Sequence, residues 1–286
     1  MASKRGEGHP IQDEATRLRD RLEDDWGIPE APAREILEHY APLHFDRGEV
    51  IFPYGASSDV VFVAVSGIVK LYAPKGDDEF YLVEIAGPAD ILGPGHFVDY
   101  KNRRCQLVEA RALTKCTVAL FTRQRIEEIL RRLDADTLLE LLELVNARWS
   151  KAWSRSVMIL NLSFQERLYA VFQDLAARFG VNEARGTLLI PELGHQDFAD
   201  LIGSSRPLVT KLLAEIVSQG MIGRSGKRYI VLKGGGLDKL PPIFPCRLPT
   251  ENSGSWSAAE RLTGRAPSAT ERFATSYRPL NQRNGV

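Results

Sequence analysis

The chain has 286 residues, of which 44% are hydrophobic and 26% are charged, and its 37 basic and 37 acidic side chains give a formal net charge of zero. This length is enough for two domains of about 100 to 200 residues each. No apolar run approaches the roughly 18 residues that cross a membrane. The composition therefore indicates globular domains and excludes a membrane-spanning role.

The cysteines and the N-terminal residues indicate a cytoplasmic protein. Cys105, Cys116 and Cys246 are irregularly spaced, without a CxxC pair or a close histidine, which argues against a disulfide framework and a zinc site. The first ten residues lack the basic and then apolar pattern of a secretory signal. We therefore expect no bound metal ion, and Cys116 in the segment KCTVALF is predicted to be a small buried hydrophobe.

The balanced net charge hides an asymmetry along the chain. Residues 195–233 contain six Lys or Arg against three Asp or Glu, and residues 234–286 contain seven against four. The remaining residues, 1–194, are therefore acidic overall. An anionic partner is expected to meet the C-terminal part of the chain.

The N-terminal half begins with an extension and continues as strands. Residues 1–42 are predicted to be an extension with a heavily charged helix over residues 13–25. Residues 43–122 contain the runs VIFPYG, VVFVAVSG, IVKLY, FYLVEIAG and TVALF, whose spacing is typical of an antiparallel barrel or sandwich. Glycines fall at the expected turns: Gly48, Gly55, Gly67, Gly76, Gly87, Gly93 and Gly95.

Residues 123–160 follow a helical pattern with a long apolar stripe. Such a stripe could pack against the barrel, against a second copy of itself, or against both, and its length favours a homodimer. Trp149 and Trp153 could instead fill the gap between helix and barrel. The residues predicted to form the dimer interface are Leu138, Leu142, Val145, Trp149, Ala152 and Ile159.

A second domain is predicted over residues 161–233. Ser163 is a plausible N-cap for a helix that ends at Gly180. The tail, residues 234–286, opens with three glycines and has few periodic apolar positions, so we expect it to be mostly unstructured.

The segment HQDFADLIGSSRPLVTKLL, residues 195–213, has the spacing of a helix-turn-helix. Ala199 supplies the small residue where two helices cross, and Gly203 supplies the turn. The second helix is predicted to begin near Ser205, because Pro207 is tolerated only in a first turn. The inward apolar residues of both helices are Phe198, Ile202, Val209 and Leu212.

The outward residues of this segment are suited to duplex DNA. Arg206 is best placed for a bidentate contact with guanine. The following MIGRSGKRYIVL predicts a hairpin wing whose Lys227 and Arg228 would meet phosphates. The alternative is a pair of packing helices with solvated charges, and the complete pattern favours DNA. The predicted DNA-binding residues are Gln196, Ser204, Ser205, Arg206, Thr210, Lys211, Lys227 and Arg228.

The order of barrel, long helix and winged helix-turn-helix resembles the Crp/Fnr family of bacterial transcription regulators over about residues 43–232. The likeness rests on DRGEVIFPYG, VFVAVSGIVKLY, AGPADILG and GSSRPLVTKLL. It implies an α+β fold with an N-terminal β-roll or jelly-roll barrel, a long dimerisation helix and a C-terminal winged helix-turn-helix. It also implies a homodimer on a two-fold symmetric operator, an effector signal relayed from the barrel, and RNA polymerase as a partner.

The resemblance argues against cyclic AMP as effector. Cyclic AMP-binding members use a Gly-Glu pair for the ribose and an Arg-Ser pair for the phosphate, where this chain has Gly93-Pro94 and Arg104-Cys105. Loss of the carboxylate that pairs with the ribose hydroxyl reduces the binding free energy by about 1.5–3 kcal/mol. Ala152 and Trp153 replace small hydroxyl residues on the long helix. The residues predicted for the effector pocket are Gly93, His96, Arg103, Arg104, Cys105 and Trp153.

The effector and any cofactor stay open at this stage. Residues 1–104 contain no cysteine, which argues against the iron–sulfur cluster of the oxygen-sensing branch. Haem is an alternative because His96, Cys105 and His44 are near the pocket segment, although both histidines also fit structural roles. Arg103 and Arg104 could bind another anion or form a solvated loop. An effector-independent regulator is a further alternative.

Other classes of protein are less well matched. A cupin-type enzyme needs an HxH cluster, and the chain also lacks a GxSxG elbow, a P-loop and a GxGxxG helix start, so we expect no enzyme activity. A non-catalytic module whose winged helix contacts protein instead of DNA is the remaining rival.

Overall fold

The computed structural model describes residues 41–237, apart from residues 58, 77, 78 and 94–104, together with a few positions between residues 16 and 34. In the long helix, the side chains of residues 140, 144, 147–149, 151 and 152 are also outside the description. Several sequence predictions therefore lie outside the described residues: those for His96, Arg103, Arg104, Cys246, the side chains of Trp149 and Ala152, and the tail beyond residue 237.

The N-terminal strands form two antiparallel sheets. One sheet has the order β1-β7-β3 and the other has the order β2-β6-β4-β5. The stacked rings of Phe52 and Phe62, with centroids 4.8 Å apart, join the two sheets across the interior. This arrangement confirms the predicted jelly-roll type of barrel. The strands are β1 (Ala41–Phe45), β2 (Val50–Phe52), β3 (Val60–Ser66), β4 (Val69–Pro74), β5 (Phe80–Ala86), β6 (Glu109–Ala112) and β7 (Cys116–Thr122).

Gly67 lies in the tight turn between β3 and β4 of the barrel. Gly67 has φ +86°, and a Cβ atom there would lie 2.4 Å from the carbonyl oxygen of Lys115. Only glycine fits such a position, both conformationally and sterically. The neighbouring Cys116 is buried, as predicted, and burial raises the pKa of its thiol.

The predicted helical region divides into two helices, α1 (Arg123–Leu130) and α2 (Ala135–Asn161). The division occurs at Asp134, whose carboxylate accepts a hydrogen bond from the amide of Thr137 and caps α2. With 27 residues, α2 is about 40 Å long. It ends at Asn161, and Ser163 then caps α3 (Phe164–Phe179), as the sequence predicts. The cap is a reciprocal capping box with Glu166.

The C-terminal part is a winged helix-turn-helix. Its helices are α3, α4 (His195–Ile202) and α5 (Arg206–Ser218), and its strands are β8 (Gly180–Glu183), β9 (Gly186–Leu189), β10 (Ile222–Ser225) and β11 (Arg228–Leu232), in the sheet order β10-β11-β9-β8. Gly203 adopts φ +65° at the turn. Leu237 is also buried in this part, so the packed chain extends beyond the boundary predicted at residue 233.

Three aromatic rings form the centre of the winged helix. Phe172 of α3 stacks on Phe198 of α4 at 5.0 Å, and Tyr229 of β11 meets both rings edge-on. All three side chains are fully buried. The cluster therefore fixes the first helix of the helix-turn-helix against α3 and the wing.

Replacing Phe172 by alanine is expected to lower the free energy of unfolding by about 3–5 kcal/mol, because removing a buried ring would leave a cavity. Urea titration measures this change. The control is Phe80→Ala at a position that is 40% exposed, where less than about 1 kcal/mol is expected. Equal losses in the two variants would contradict the assigned core.

Candidate nucleic-acid interface

The outer face of α5 is open to solvent. Arg206, Thr210 and Lys211 are exposed, and the side chain of Lys211 is 75% accessible with only a 3.9 Å approach to Glu215. The inner face of α5 is packed through Val209, Leu212, Leu213 and Ile216. A helix with one buried face and one exposed polar face can enter the major groove without breaking the packing contacts of its buried face.

The residues before α5 differ in part from the prediction. Ser205 occupies the N-cap position and Pro207 lies in the first turn, as predicted, but Ser205 makes no side-chain cap hydrogen bond. Ser204 is half-buried, and its hydroxyl oxygen is shielded from solvent without a partner among the described residues. Gln196 is exposed at the start of α4, and its amide donates to Asp200 at 2.7 Å.

The predicted wing is a hairpin beside α5. β10 and β11 pair antiparallel, with Ser225 opposite Arg228 and with Gly226 at φ +62° in the turn. Lys227 is exposed at the tip, whereas Arg228 is half-buried. The tip therefore offers an exposed cation next to α5.

A chain of hydrogen bonds links the wing to α5 through two residues that the sequence analysis did not select. Arg224 of β10 lies over the ring of Tyr229, 4.5 Å from its centroid, and donates to the hydroxyl of that tyrosine. The same guanidinium nitrogen lies 3.0 Å from Nε2 of His195. Nδ1 of His195 lies 2.8 Å from Oγ1 of Thr210, which in turn donates to the carbonyl of Arg206 at 2.9 Å.

The surroundings of His195 favour its neutral form. Partial burial, followed by the positive charges of Arg224 and Arg206, lowers the pKa of His195 below its ordinary value. A neutral imidazole can accept a hydrogen bond at one nitrogen and donate at the other, which the chain of contacts requires.

The winged helix packs directly on the barrel, and both belong to one compact unit. Ile68, Leu82 and Ile85 of the barrel join the same apolar cluster as Leu201 of α4. At Gly87, a Cβ atom would lie 2.4 Å from the ring of Phe179 at the end of α3. The two domains therefore share a hydrophobic core.

Carboxylates of α4 anchor this docking contact. Asp197 lies 2.6 Å from Nζ of Lys70 on β4, with both side chains largely buried, and it also caps α4 through the amide of Gly194. Asp200 accepts from the amide of Leu82 on β5 at 3.1 Å. Burial, together with the charge of Asp197, raises the pKa of the adjacent Tyr72 to about 12. That phenol therefore stays protonated near neutral pH.

Arginines of α3 extend the connection to the barrel and to α2. Arg178 lies 2.6 Å from Asp90 and donates to the carbonyl of Ile85 at 2.8 Å. Arg167 donates to the carbonyl of Leu162 at the end of α2 and to that of Ile202 at the end of α4. The Arg167 guanidinium thus connects the long helix to the turn of the helix-turn-helix, where exposed carbonyls favour a cation.

The predicted effector residues are only partly described. Gly93 has φ +85°, and Cys105 is half-buried in a β-bridge with Ser57. Trp153 is 65% exposed on α2, so within one chain it does not fill a gap between helix and barrel.

His44 has a hydrogen-bond partner within the barrel. It is exposed on β1 and lies directly opposite Thr117 of β7 in the register of the two strands. Its Nδ1 lies 3.2 Å from Oγ1 of Thr117. This contact supports the structural role that the sequence analysis gave as the alternative to haem ligation.

Within the described part of the chain, no three His, Cys, Asp or Glu side chains lie close enough together to share a metal ion. No helix found there combines the length and apolar character needed to cross a membrane.

Replacing Lys70 by alanine is expected to lower the free energy of unfolding by about 1–3 kcal/mol, because Asp197 would lose its partner at a largely buried site. Urea titration again measures the change. Lys75→Ala is the matched control, since the pair of Lys75 with Glu79 is exposed, and no measurable loss is expected there. An unchanged free energy of unfolding in Lys70→Ala would contradict a stabilising role for the docking contact.

Two family models match the chain and together cover more than half of it. The model described as a cyclic nucleotide-binding domain matches residues 42–133. The model described as a Crp-like helix-turn-helix domain matches residues 166–240. The two matches correspond to the barrel with α1 and to the winged helix.

Curated relatives and solved structures match over most of the chain. The CRP-like cAMP-activated global transcriptional regulator of Mycobacterium tuberculosis is 25% identical over 212 residues, which cover 72% of this chain and 90% of that protein. The nitrogen fixation regulation protein FixK of Azorhizobium caulinodans is 25% identical, with 71% and 79% covered. The c-di-GMP responsive global regulator CLP of Xanthomonas campestris matches in structure with a TM-score of 0.60 and 18% identity, over 72% of this chain and 100% of that one. The chain therefore belongs to the Crp/Fnr family of transcription regulators.

Proposed function

We propose that the protein is a homodimeric regulator that binds a two-fold symmetric operator and places α5 in the major groove of each half-site. The observation that carries this proposal is the orientation of the helix-turn-helix. α4 is packed against the barrel, while the outer face of α5 is exposed beside the wing. This is the arrangement that major-groove recognition needs.

The exposed residues are suited to two kinds of contact with DNA, one with bases and one with phosphates. Arg206 at the start of α5 is suited to the O6 and N7 acceptors of a guanine, and Lys211 offers a second donor further along the helix. Lys227 at the wing tip is suited to a phosphate, which fixes register without reading sequence. The hydroxyl oxygen of Ser204, another predicted contact, is shielded from solvent.

An exposed apolar stripe on α2 supports the dimer. Leu142 is 62% exposed and Val145 is 54% exposed, although both are large aliphatic residues. Of the other residues predicted for the interface, Ile159 is exposed and Leu138 is half-buried. The stripe also includes residues that were not among those predicted for the interface: Leu139, Trp153, Val157 and Leu160. A second copy of α2 would remove this surface from water.

The proposed signal enters through the barrel and reaches DNA through the docking contact. Relatives are described as cAMP-activated and as c-di-GMP responsive. In this chain Gly93-Pro94 and Arg104-Cys105 replace the pairs that hold cyclic AMP, so we propose a different signal. We propose that the regulator acts in the cytoplasm, and the family resemblance implies RNA polymerase as a partner.

Replacing Arg206 by alanine is expected to weaken binding to the operator by about 1–3 kcal/mol and to reduce sequence preference, because a bidentate guanine contact is lost. The operator is first selected from randomised duplexes with the full-length protein, and affinity is measured by fluorescence anisotropy. The control is Arg185→Ala, which changes an exposed arginine at the end of the sheet opposite the wing tip. Equal weakening on operator and random duplex would count against base reading.

Replacing Val145 by aspartate is expected to produce monomers with weak operator binding, because the new charge would be buried in the seam between two copies of α2. Val145 is 54% exposed in one chain, so the fold itself should tolerate the change. Sedimentation velocity measures the oligomeric state. Val181→Asp, at a position 49% exposed on β8, is expected to remain dimeric. An intact dimer of the Val145 variant would refute the proposed seam.

A further inference from the structure

The directions of the hydrogen bonds around Thr210 can be assigned from their donors. A guanidinium only donates, so Nε2 of His195 must accept from Arg224 at 3.0 Å. The single proton of the neutral imidazole then lies on Nδ1 and is donated to Oγ1 of Thr210 at 2.8 Å. The hydroxyl proton of Thr210 goes to the carbonyl of Arg206 at 2.9 Å.

These contacts engage the Thr210 hydroxyl within the protein both as donor and as acceptor. Thr210 is nevertheless exposed on the outer face of α5. The hydroxyl proton is thereby used within the protein, and the methyl group is the part of the side chain that no hydrogen bond engages. In the major groove, the matching apolar feature is the 5-methyl group of thymine.

We propose that Thr210 reads a thymine through its methyl group, and that His195 and Arg224 are positioning residues that hold the hydroxyl away from the base. This inference rests on the proposed operator-binding function and specifies the base that α5 selects beside its guanine. Thr210 lies one helical turn after Arg206, a separation of about 6 Å. The thymine is therefore expected within two base steps of that guanine, since steps are about 3.4 Å apart.

The charges around His195 determine how this reading depends on pH. Arg224 faces the imidazole from β10 and Arg206 faces it from α5. Asp197 on the same helix is already paired with Lys70 of the barrel. Protonation would place a hydrogen on Nε2 against the Arg224 donor, break that contact and displace the imidazole from its position beside Thr210. Thymine selectivity is therefore complete above the pKa of His195 and is lost as pH falls through it.

The test uses the full-length protein and the operator selected from randomised duplexes, with each thymine replaced in turn by deoxyuridine, which lacks only the methyl group. One symmetric pair of thymines is expected to show about fourfold weaker binding per half-site. Thr210→Ser should abolish this difference, whereas Thr210→Val, which keeps a methyl group, should retain it. A selected operator without any sensitive thymine, or undiminished sensitivity in Thr210→Ser, would overturn the proposal.

Two further measurements test the positioning role. His195→Ala should bring the thymine-to-deoxyuridine ratio close to one in the native background but leave it unchanged in the Thr210→Val background. Lowering the pH from about 8 to about 5 should reduce the thymine-to-deoxyuridine ratio for the native protein but not for Thr210→Val. An unchanged ratio in His195→Ala would overturn the role of His195. Failure to enrich any sequence would instead overturn the operator-binding function itself.

Discussion

The contact between α4 and the barrel determines what the rest of the DNA-binding domain can do. Asp197 and Asp200 are occupied by Lys70 and by the amide of Leu82, and Leu201 packs into the shared apolar cluster. Because α4 is held on the barrel, the outer face of α5 is left to solvent. The position of the surface proposed to bind DNA, the outer face of α5, is thus fixed by contacts between α4 and the barrel. Those contacts do not themselves involve DNA.

The same docking contact joins the barrel to the long helix. Arg155 of α2 lies near Glu84 of β5 and Asp174 of α3, and burial lowers the pKa of its guanidinium. Arg167 binds carbonyls at the ends of both α2 and α4. Partly buried charges need their partners, so a shift of α2 relative to the barrel must be accompanied by movement of α3 and α4. In the proposed function, this coupling is the physical route from a signal in the barrel to the position of α5.

The sequence was sufficient to predict turns and helix starts, because these depend on the backbone conformation and hydrogen bonds of neighbouring residues. Gly203 at the turn and Ser163 at a helix start follow from local backbone chemistry. β6 was missed because its sequence, EARA, has low strand propensity and pairs only through its neighbours β2 and β4. His195 and Arg224 are 29 positions apart, and only the fold brings them together. The exposure of Trp153 likewise depends on how α2 packs.

Methylation interference on the selected operator tests the central claim most directly. Dimethyl sulfate modifies guanine N7 in the major groove and adenine N3 in the minor groove. If α5 reads the major groove through Arg206, methylation of one symmetric pair of guanines should block binding of the native protein, and adenine methylation should not. Interference confined to adenines, or absent from every guanine, would contradict the account.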